Sequence, residues 1–313
     1  MSSRVVEPGR TAIGFVGLGN MGRPMAGHLV AAGYEVRVYD VAPEPVADLV
    51  ARGATAVAEV AEAAKADVLI TMLPGPTQIA QVMLEGGAAE AMAPGAVWID
   101  MSTSVPQAAE VAVARLAAIG ARAVDAPVSG MAHGARAATL QIFAGGDDDV
   151  VAEVRPLFEV LGDPDRILHV GGKGTGYTVK LLINQLWFAH LVATAEILSI
   201  GANAGVDLAV LRQSLLASPA ASNFLAADVD RILSDGDYDE SFALALACKD
   251  SGLAVDLARH TGSPSELLGL VDQVFQRARR HYGDDAGEMR PFQLYEDLVG
   301  RPLRYGHAPV AAE

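Results

Sequence analysis

The pair of residues best suited to acid–base chemistry is Lys180 and Asn184, a lysine and an asparagine one helical turn apart. They lie at the start of a long apolar stretch, just after a glycine-rich segment at residues 171–176. Burial of a lysine in an apolar cleft destabilises its charged form, which lowers its pKa toward the range useful for proton transfer. Lys180 could then protonate a nascent alkoxide, and Asn184 could hold the substrate oxygen. Alternatively, Lys180 extends to solvent from a helix end and Asn184 hydrogen-bonds a neighbouring helix.

Three glycines have the spacing of a turn that binds a dinucleotide. An apolar stretch at residues 13–16 leads into Gly17, Gly19 and Gly22. The first glycine allows a sharp turn, the second lets the backbone approach a pyrophosphate, and the third lets the following helix pack closely on the sheet. The helix N-terminus then faces the anion. The triplet alone also fits an ordinary strand-to-helix turn, so its surroundings must decide.

Asp40 supports the dinucleotide interpretation. It ends the second predicted strand, residues 35–40, about twenty residues after the glycines, where an acid holds the adenosine ribose hydroxyls. Val41 follows it, where an NADP site more often carries arginine. We therefore predict that the turn binds NAD in preference to NADP, with NADP still possible. The residues of this turn are Gly17, Leu18, Gly19, Asn20, Met21 and Gly22.

The elements that must position these residues predict two domains. Short apolar strands at residues 68–72, 97–100, 121–125 and 140–144 alternate with helices, one of them expected over 55–65. This alternation predicts a mostly parallel sheet that is covered on both faces and binds ligands beyond the carboxyl ends of its strands. We expect an α/β, Rossmann-like, doubly wound N-terminal domain over residues 1–172.

Helical periodicity replaces this alternation from residue 173 onward. We expect an all-α domain over residues 173–313, which a long central helix of nearly thirty residues opens. Because this helix is apolar all round, we also expect a second subunit to complete it, in a homodimer or homotetramer. The tail, residues 283–313, is expected to lie on the surface or to be partly ordered.

Composition excludes several classes of function. A net charge of −15 over 313 residues argues against a nucleic-acid or anionic-membrane surface. Cys248 is the single cysteine, which excludes an internal disulfide, and His28, His169 and His190 lack metal-ligand spacing, so we expect no metal. The N-terminus lacks a signal-peptide pattern, which favours the cytoplasm. The apolar stretch from Leu181 contains polar residues, which favours a buried helix over a membrane span.

Several segments together resemble the β-hydroxyacid dehydrogenases, the family that includes 3-hydroxyisobutyrate dehydrogenase and tartronate semialdehyde reductase, with 6-phosphogluconate dehydrogenase more distant. In family order they are residues 17–26, 72–74, 100–103, 125–130, 174–184 and 249–250. The resemblance implies an oxidoreductase that transfers hydride between NAD(P) and a small 3-hydroxy acid or its semialdehyde, in an interdomain cleft. These small molecules are the expected partners, and neither nucleic acid nor membrane is.

The resemblance also implies roles for individual residues. Lys180 would be the catalytic lysine, Asn184 would position the substrate, and Lys249 would lie near the nicotinamide end of the cofactor. The substrate carboxylate would be bound by Ser129, Gly130 and Met131. The dinucleotide would be touched by Leu73, Pro74, Gln78 and Thr103.

Three departures from the family pattern leave the substrate open. Met131 and Ala138 stand where glycine is usual, and Gln185 stands where many members carry a second asparagine. The alternatives are a reductase of the same fold that acts on another carbonyl or an imine, and a noncatalytic dinucleotide-binding module. The lysine at 180 counts against the imine branch, and Lys180 together with Asn184 argues against the noncatalytic one.

Overall fold

The structure is a computed structural model that describes residues 6–239 and 241–306. The chain divides into two compact units, Met1–Leu181 and Leu182–Glu313. The boundary predicted after residue 172 lies in the turn before a long helix, whereas the division between the units falls inside that helix.

One sheet forms the centre of the first unit, and its described part has nine strands. They are β1 Ala12–Val16, β2 Glu35–Tyr39, β3 Thr55–Ala56, β4 Val68–Thr71, β5 Val97–Asp100, β6 Arg122–Asp125, β7 Val128–Ser129, β8 Leu140–Gly145 and β9 Gly162–Gly171. The strand order is 3-2-1-4-5-6-8-7, with β9 paired to β8. The first six strands are parallel, and β8 runs antiparallel to β6 and β7. The order reverses between β1 and β4, which is where such sheets bind dinucleotides.

Helices flank this sheet. They are α1 Gly22–Ala31, α2 Pro43–Ala51, α3 Val60–Ala63, α4 Pro76–Ala80, α5 Ala88–Ala91, α6 Pro106–Ala118, α7 Met131–Ala137 and α8 Asp148–Leu161, with a π-helical turn at Gln81–Glu85. Two apolar clusters fill the spaces beside the strands, one around Phe15 and Phe158 and the other around Trp98 and Leu116. This arrangement confirms the predicted Rossmann-like fold.

The second unit is helical. The long helix α9 Thr175–Asn203 leads into it, followed by α10 Leu208–Leu216, a π-helical turn at Phe224–Asp228, α11 Val229–Asp235, α12 Leu244–Thr261, α13 Glu266–Tyr282 and α14 Arg290–Val299. Its core contains Phe188, Phe224, Phe275 and Phe292. The rings of Phe188 and Phe275 lie 4.6 Å apart. The predicted all-α region is thereby confirmed.

Two elements predicted from the sequence are wrong. The helix expected over residues 55–65 is instead the short strand β3 followed by α3, because Thr55 pairs with Arg37 of β2 and this pairing overrides the helix propensity of the alanines. Residues 283–306 of the tail do not form a surface segment, since α14 buries Phe292 completely, while residues 307–313 lie outside the described residues. The carboxylate of Glu296 holds the chain beyond this helix, because it accepts the Leu303 N–H at 2.9 Å.

Candidate active site

The glycine turn after β1 shows which of its glycines the protein itself requires. Gly17 has φ +95°, and a Cβ there would lie 2.3 Å from the Met72 carbonyl oxygen. A Cβ on Gly22 would lie 1.9 Å from the Gly17 carbonyl oxygen. Around Gly19, by contrast, a Cβ would meet no protein atom within 4 Å. The fold therefore does not need glycine at 19, whereas a pyrophosphate that approaches the backbone does.

The carboxylate of Asp40 is fixed beside this turn. Its Oδ2 accepts the Leu18 N–H at 2.5 Å, and its Oδ1 accepts the Ala42 N–H at 2.8 Å. Each carboxylate oxygen can accept a second hydrogen bond, and two such acceptors match the two hydroxyls of a ribose. Val41 is 91% exposed. The residues present therefore fit a dinucleotide.

The segment after β4 adjoins the glycine turn. A Leu73 methyl carbon would lie 3.1 Å from a Cβ on Gly17, and the Leu73 N–H donates to Ser102 Oγ at 2.8 Å. Thr103, the next residue, is half-buried, as is Gln78 on α4, while Pro74 is exposed. The structure thus brings the loops after β4 and β5 together beside the cofactor turn.

The loop after β7 has an unusual backbone. Ser129 ends the strand, and Met131 and Ala138, at the two ends of α7, have φ of +53° and +54°. Side chains disfavour this left-handed region by about 1–2 kcal/mol. These are the two positions at which the resemblance leads us to expect glycine. His28 Nε2 lies 3.0 Å from the Ala135 carbonyl oxygen and so contacts the last turn of α7.

Replacement of Met131 by glycine should stabilise the protein. We expect Met131→Gly to raise the free energy of unfolding by about 1 kcal/mol, because relief of the left-handed strain exceeds the extra entropy of glycine in the unfolded chain. Urea denaturation measures this change. Met131→Ala keeps the strain and is the matched control, and a glycine variant no more stable than the alanine variant would contradict the expectation.

Lys180 is buried, with 8% of its surface exposed, and the start of its helix is held by a carboxylate. Asp125 accepts the N–H of Gly174 at 2.6 Å and that of Tyr177 at 3.1 Å. Burial raises the pKa of Asp125 to about 6, although these N–H donors act in the opposite direction. A Cβ on Gly176 would lie 2.4 Å from the Phe143 carbonyl oxygen, so the first turn of α9 lies directly against the sheet.

Asn184 and Lys249 share one carboxylate in the second unit. Asn184 Nδ2 donates to Asp250 Oδ2 at 2.8 Å, and Lys249 Nζ lies 2.8 Å from Asp250 Oδ1. The alternative expectation, that Asn184 hydrogen-bonds a neighbouring helix, is thus correct for one of its N–H groups, since Asp250 belongs to α12. The amide has a second N–H and a carbonyl oxygen, which can still serve a substrate.

Sequence reasoning gave no role to Asp100, Asp125 or Tyr177, three residues that organise this site. Asp100 and Asp125 are the last residues of β5 and β6 and lie directly opposite each other in the sheet. The sequence does contain one signal for the two aspartates, because each ends one of two neighbouring predicted strands. For Tyr177 the sequence holds no comparable signal.

Comparison with known proteins agrees with the geometry. Residues 12–172 match the family described as the NAD binding domain of 6-phosphogluconate dehydrogenase. Residues 174–295 match the family described as NAD-binding of NADP-dependent 3-hydroxyisobutyrate dehydrogenase. Together these two matches include every residue assigned to the site above.

Individual relatives cover most of the chain. A 3-sulfolactaldehyde reductase of Escherichia coli is 36% identical over 86% of this chain and 90% of its own. A 2-(hydroxymethyl)glutarate dehydrogenase of Eubacterium barkeri is 35% identical over 85% and 89%. The structure of a Mycobacterium tuberculosis 3-hydroxyisobutyrate dehydrogenase with L-serine superposes with a TM-score of 0.83, at 29% identity over 91% of this chain and 98% of that one. The chain therefore belongs to the β-hydroxyacid dehydrogenase family and is an NAD(P)-dependent oxidoreductase that acts on CH–OH groups.

Proposed function

We propose that this enzyme interconverts a small 3-hydroxy acid and its semialdehyde, with Lys180 as the general acid and base. The observation that carries the proposal is the burial of Lys180 one turn after a helix start that Asp125 anchors. A lysine held in such a buried site can exchange a proton with a substrate oxygen that binds beside it.

Each site residue has a task in this proposal. In the oxidation direction Lys180 Nζ takes the hydroxyl proton as the carbonyl forms, and in the reduction direction it returns that proton to the oxygen. Asn184 orients this oxygen through its amide. Ser129 and Gly130 hold the substrate carboxylate with a hydroxyl and backbone N–H groups, and Met131 narrows the space beside them. The nicotinamide, when bound, accepts or supplies the hydride.

A panel of substrates tests this function. Nicotinamide absorbance is followed while the enzyme receives NAD with 3-hydroxyisobutyrate, 2-(hydroxymethyl)glutarate or L-serine, and NADH with sulfolactaldehyde or an imine. Turnover of a carboxylate substrate supports the proposal. The second candidate, reduction of a sulfonate-bearing aldehyde, is favoured by the 36% identical sulfolactaldehyde reductase. NADH binding without turnover of any substrate would favour a noncatalytic module.

We also propose that NAD is preferred over NADP. The fixed carboxylate of Asp40 accepts ribose hydroxyls and repels a 2′-phosphate. Asp40→Asn keeps the size of the side chain but removes its charge. We expect this variant to lower the NAD-to-NADP ratio of kcat/KM by about tenfold, the effect of about 1.4 kcal/mol. Steady-state kinetics with both cofactors measure the ratio, and an unchanged ratio would sink this assignment.

The exposed face of α9 supports a homodimer or homotetramer. Its large exposed apolar side chains are Leu182, Ile183, Leu186, Ile197 and Ile200, with Leu182 and Leu186 four residues apart and Ile197 and Ile200 three. Exposed apolar stripes of this kind mark interfaces between proteins. Although α9 is long and apolar enough to cross a membrane, it carries Lys180, Asn184 and Glu196, which favours a second copy of the chain over lipid.

A charge on this face should disrupt the assembly. We expect the wild type to have at least a dimer mass by light scattering without detergent, and Leu186→Glu to shift it toward the monomer, because a buried unpaired carboxylate is costly. Lys65→Glu, at an exposed position of the first unit, is the control. A monomeric wild type would refute the proposal.

We further propose a cytoplasmic location. The cysteine content supports it, because Cys248 is the single cysteine and leaves no internal disulfide of the kind that oxidising compartments favour.

A further inference from the structure

A chain of hydrogen bonds runs from Leu73 to α9, the helix that carries Lys180. Leu73 lies in the loop after β4 that is expected to touch the dinucleotide, called the cofactor loop below. The Leu73 N–H donates to Ser102 Oγ at 2.8 Å, and the Ser102 hydroxyl donates to Asp100 Oδ1 at 2.6 Å. The other oxygen of that carboxylate, Oδ2, accepts the phenol of Tyr177 at 2.6 Å. Four groups in sequence thus connect the loop after β4 with the first turn of α9.

In the described part of the chain, further donors hold the Asp100 carboxylate. Thr71 Oγ1 donates to its Oδ1 at 2.7 Å, and the indole of Trp98 in turn donates to Thr71 Oγ1 at 2.9 Å. Asp100 is fully buried, and burial raises its pKa, while its hydrogen bonds oppose that change. A buried carboxylate that is surrounded by donors holds each of them in a defined direction. The chain is therefore fixed at its centre.

Tyr177 is held at both ends. Its backbone N–H donates to Asp125 and its phenol donates to Asp100, while the ring is 1% exposed within an apolar cluster. Burial and the nearby Asp100 both raise the pKa of this phenol, which keeps it protonated and therefore a donor. A phenylalanine at this position would fill the apolar cluster equally well. The hydroxyl of Tyr177 therefore needs a separate explanation.

We propose that Tyr177 is a positioning residue, which sets the place of Lys180 relative to the cofactor loop through Asp100 and Ser102. Lys180 follows Tyr177 by three residues, so both lie on one face of α9. A shift of about 1 Å in a reacting group can cost about 100-fold in rate, and a hydrogen-bonded chain between loop and helix restrains such a shift. This inference rests on the proposed role of Lys180.

The test is the variant Tyr177→Phe, which removes one oxygen and keeps the ring. We expect kcat to fall about tenfold or more, while the hydroxy-acid KM and the NADH dissociation constant change by less than about threefold, because the chemical step alone is misaligned. Ser102→Ala should have a similar effect on kcat. The double variant should be little worse than either single variant, since both interrupt the same chain.

Tyr34→Phe is the matched control, because Tyr34 is also buried in the first unit but takes no part in the hydrogen bonds that join Leu73, Ser102, Asp100 and Tyr177. A merely structural tyrosine would lower the melting temperature of Tyr177→Phe and leave kcat of the folded enzyme unchanged, and that result would overturn the proposal. Additive losses in the double variant would overturn it as well. If Lys180→Ala keeps full activity, the proposed function itself fails, which is a distinguishable outcome.

Discussion

Lys180→Ala is expected to lower kcat by about 1,000-fold, which is the usual contribution of a positioned general acid and base. The lysine is buried on α9, so the variant removes the proposed proton carrier from the site. The affinity for NADH, measured by fluorescence titration, should stay within about threefold of the wild type, because the loss is confined to the chemical step.

Two controls separate this loss from a general effect of removing a lysine. Lys65→Ala removes an exposed lysine of the same unit and should retain full activity. A small primary amine added to Lys180→Ala should restore part of the rate, because the vacated space can admit a replacement proton carrier. A variant with nearly normal kcat would show that another group carries the proton.

Gly19→Val is expected to weaken NADH binding by about 100-fold, which corresponds to about 2.7 kcal/mol. Since a Cβ at this position meets no protein atom within 4 Å, the substitution extends the side chain into the space that the pyrophosphate requires. The melting temperature should therefore remain close to that of the wild type. Fluorescence titration with NADH and thermal unfolding without cofactor measure the two quantities.

Gly22→Ala is the counterpart of this variant. Its Cβ would lie 1.9 Å from the Gly17 carbonyl oxygen, and backbone cannot yield as a flexible side chain can. We expect Gly22→Ala to lose several kcal/mol of stability, on the scale of core overpacking, before any cofactor is added. Equal effects of the two variants on stability, or normal NADH affinity of Gly19→Val, would refute the division of roles.

The sequence predicts the parts of this molecule that depend on local patterns. The three glycines, Asp40 and the apolar strands predict the Rossmann-like unit, because turn chemistry and continuous apolar runs are readable within a few residues. The pairing of β3 with β2 and the unpredicted strands β7 and β9 depend instead on neighbours distant in the sequence. The strand β9 is hard to recognise from the sequence, because most of its residues are exposed or partly exposed.

Some residues of the candidate site can likewise be predicted from local sequence patterns, and others cannot. Lys180 and Asn184 are recognisable by their spacing and by the family resemblance. The carboxylates that hold their surroundings are not, because Asp100 contacts a tyrosine 77 positions later and Asp250 contacts an asparagine 66 positions earlier. The left-handed backbone at Met131 was also beyond sequence reasoning alone, although the unusual absence of glycine there was visible.

The strained ends of α7 bear on how readily this enzyme could acquire a new substrate. Substitutions that change specificity usually cost stability, so a protein near its stability threshold tolerates few of them. In this chain, glycine at Met131 or Ala138 would alter or free the loop assigned to the substrate carboxylate and relieve backbone strain in the same step. A laboratory evolution experiment that starts from such a variant begins with a more stable protein. That protein can tolerate later substitutions in the pocket that lower the free energy of unfolding.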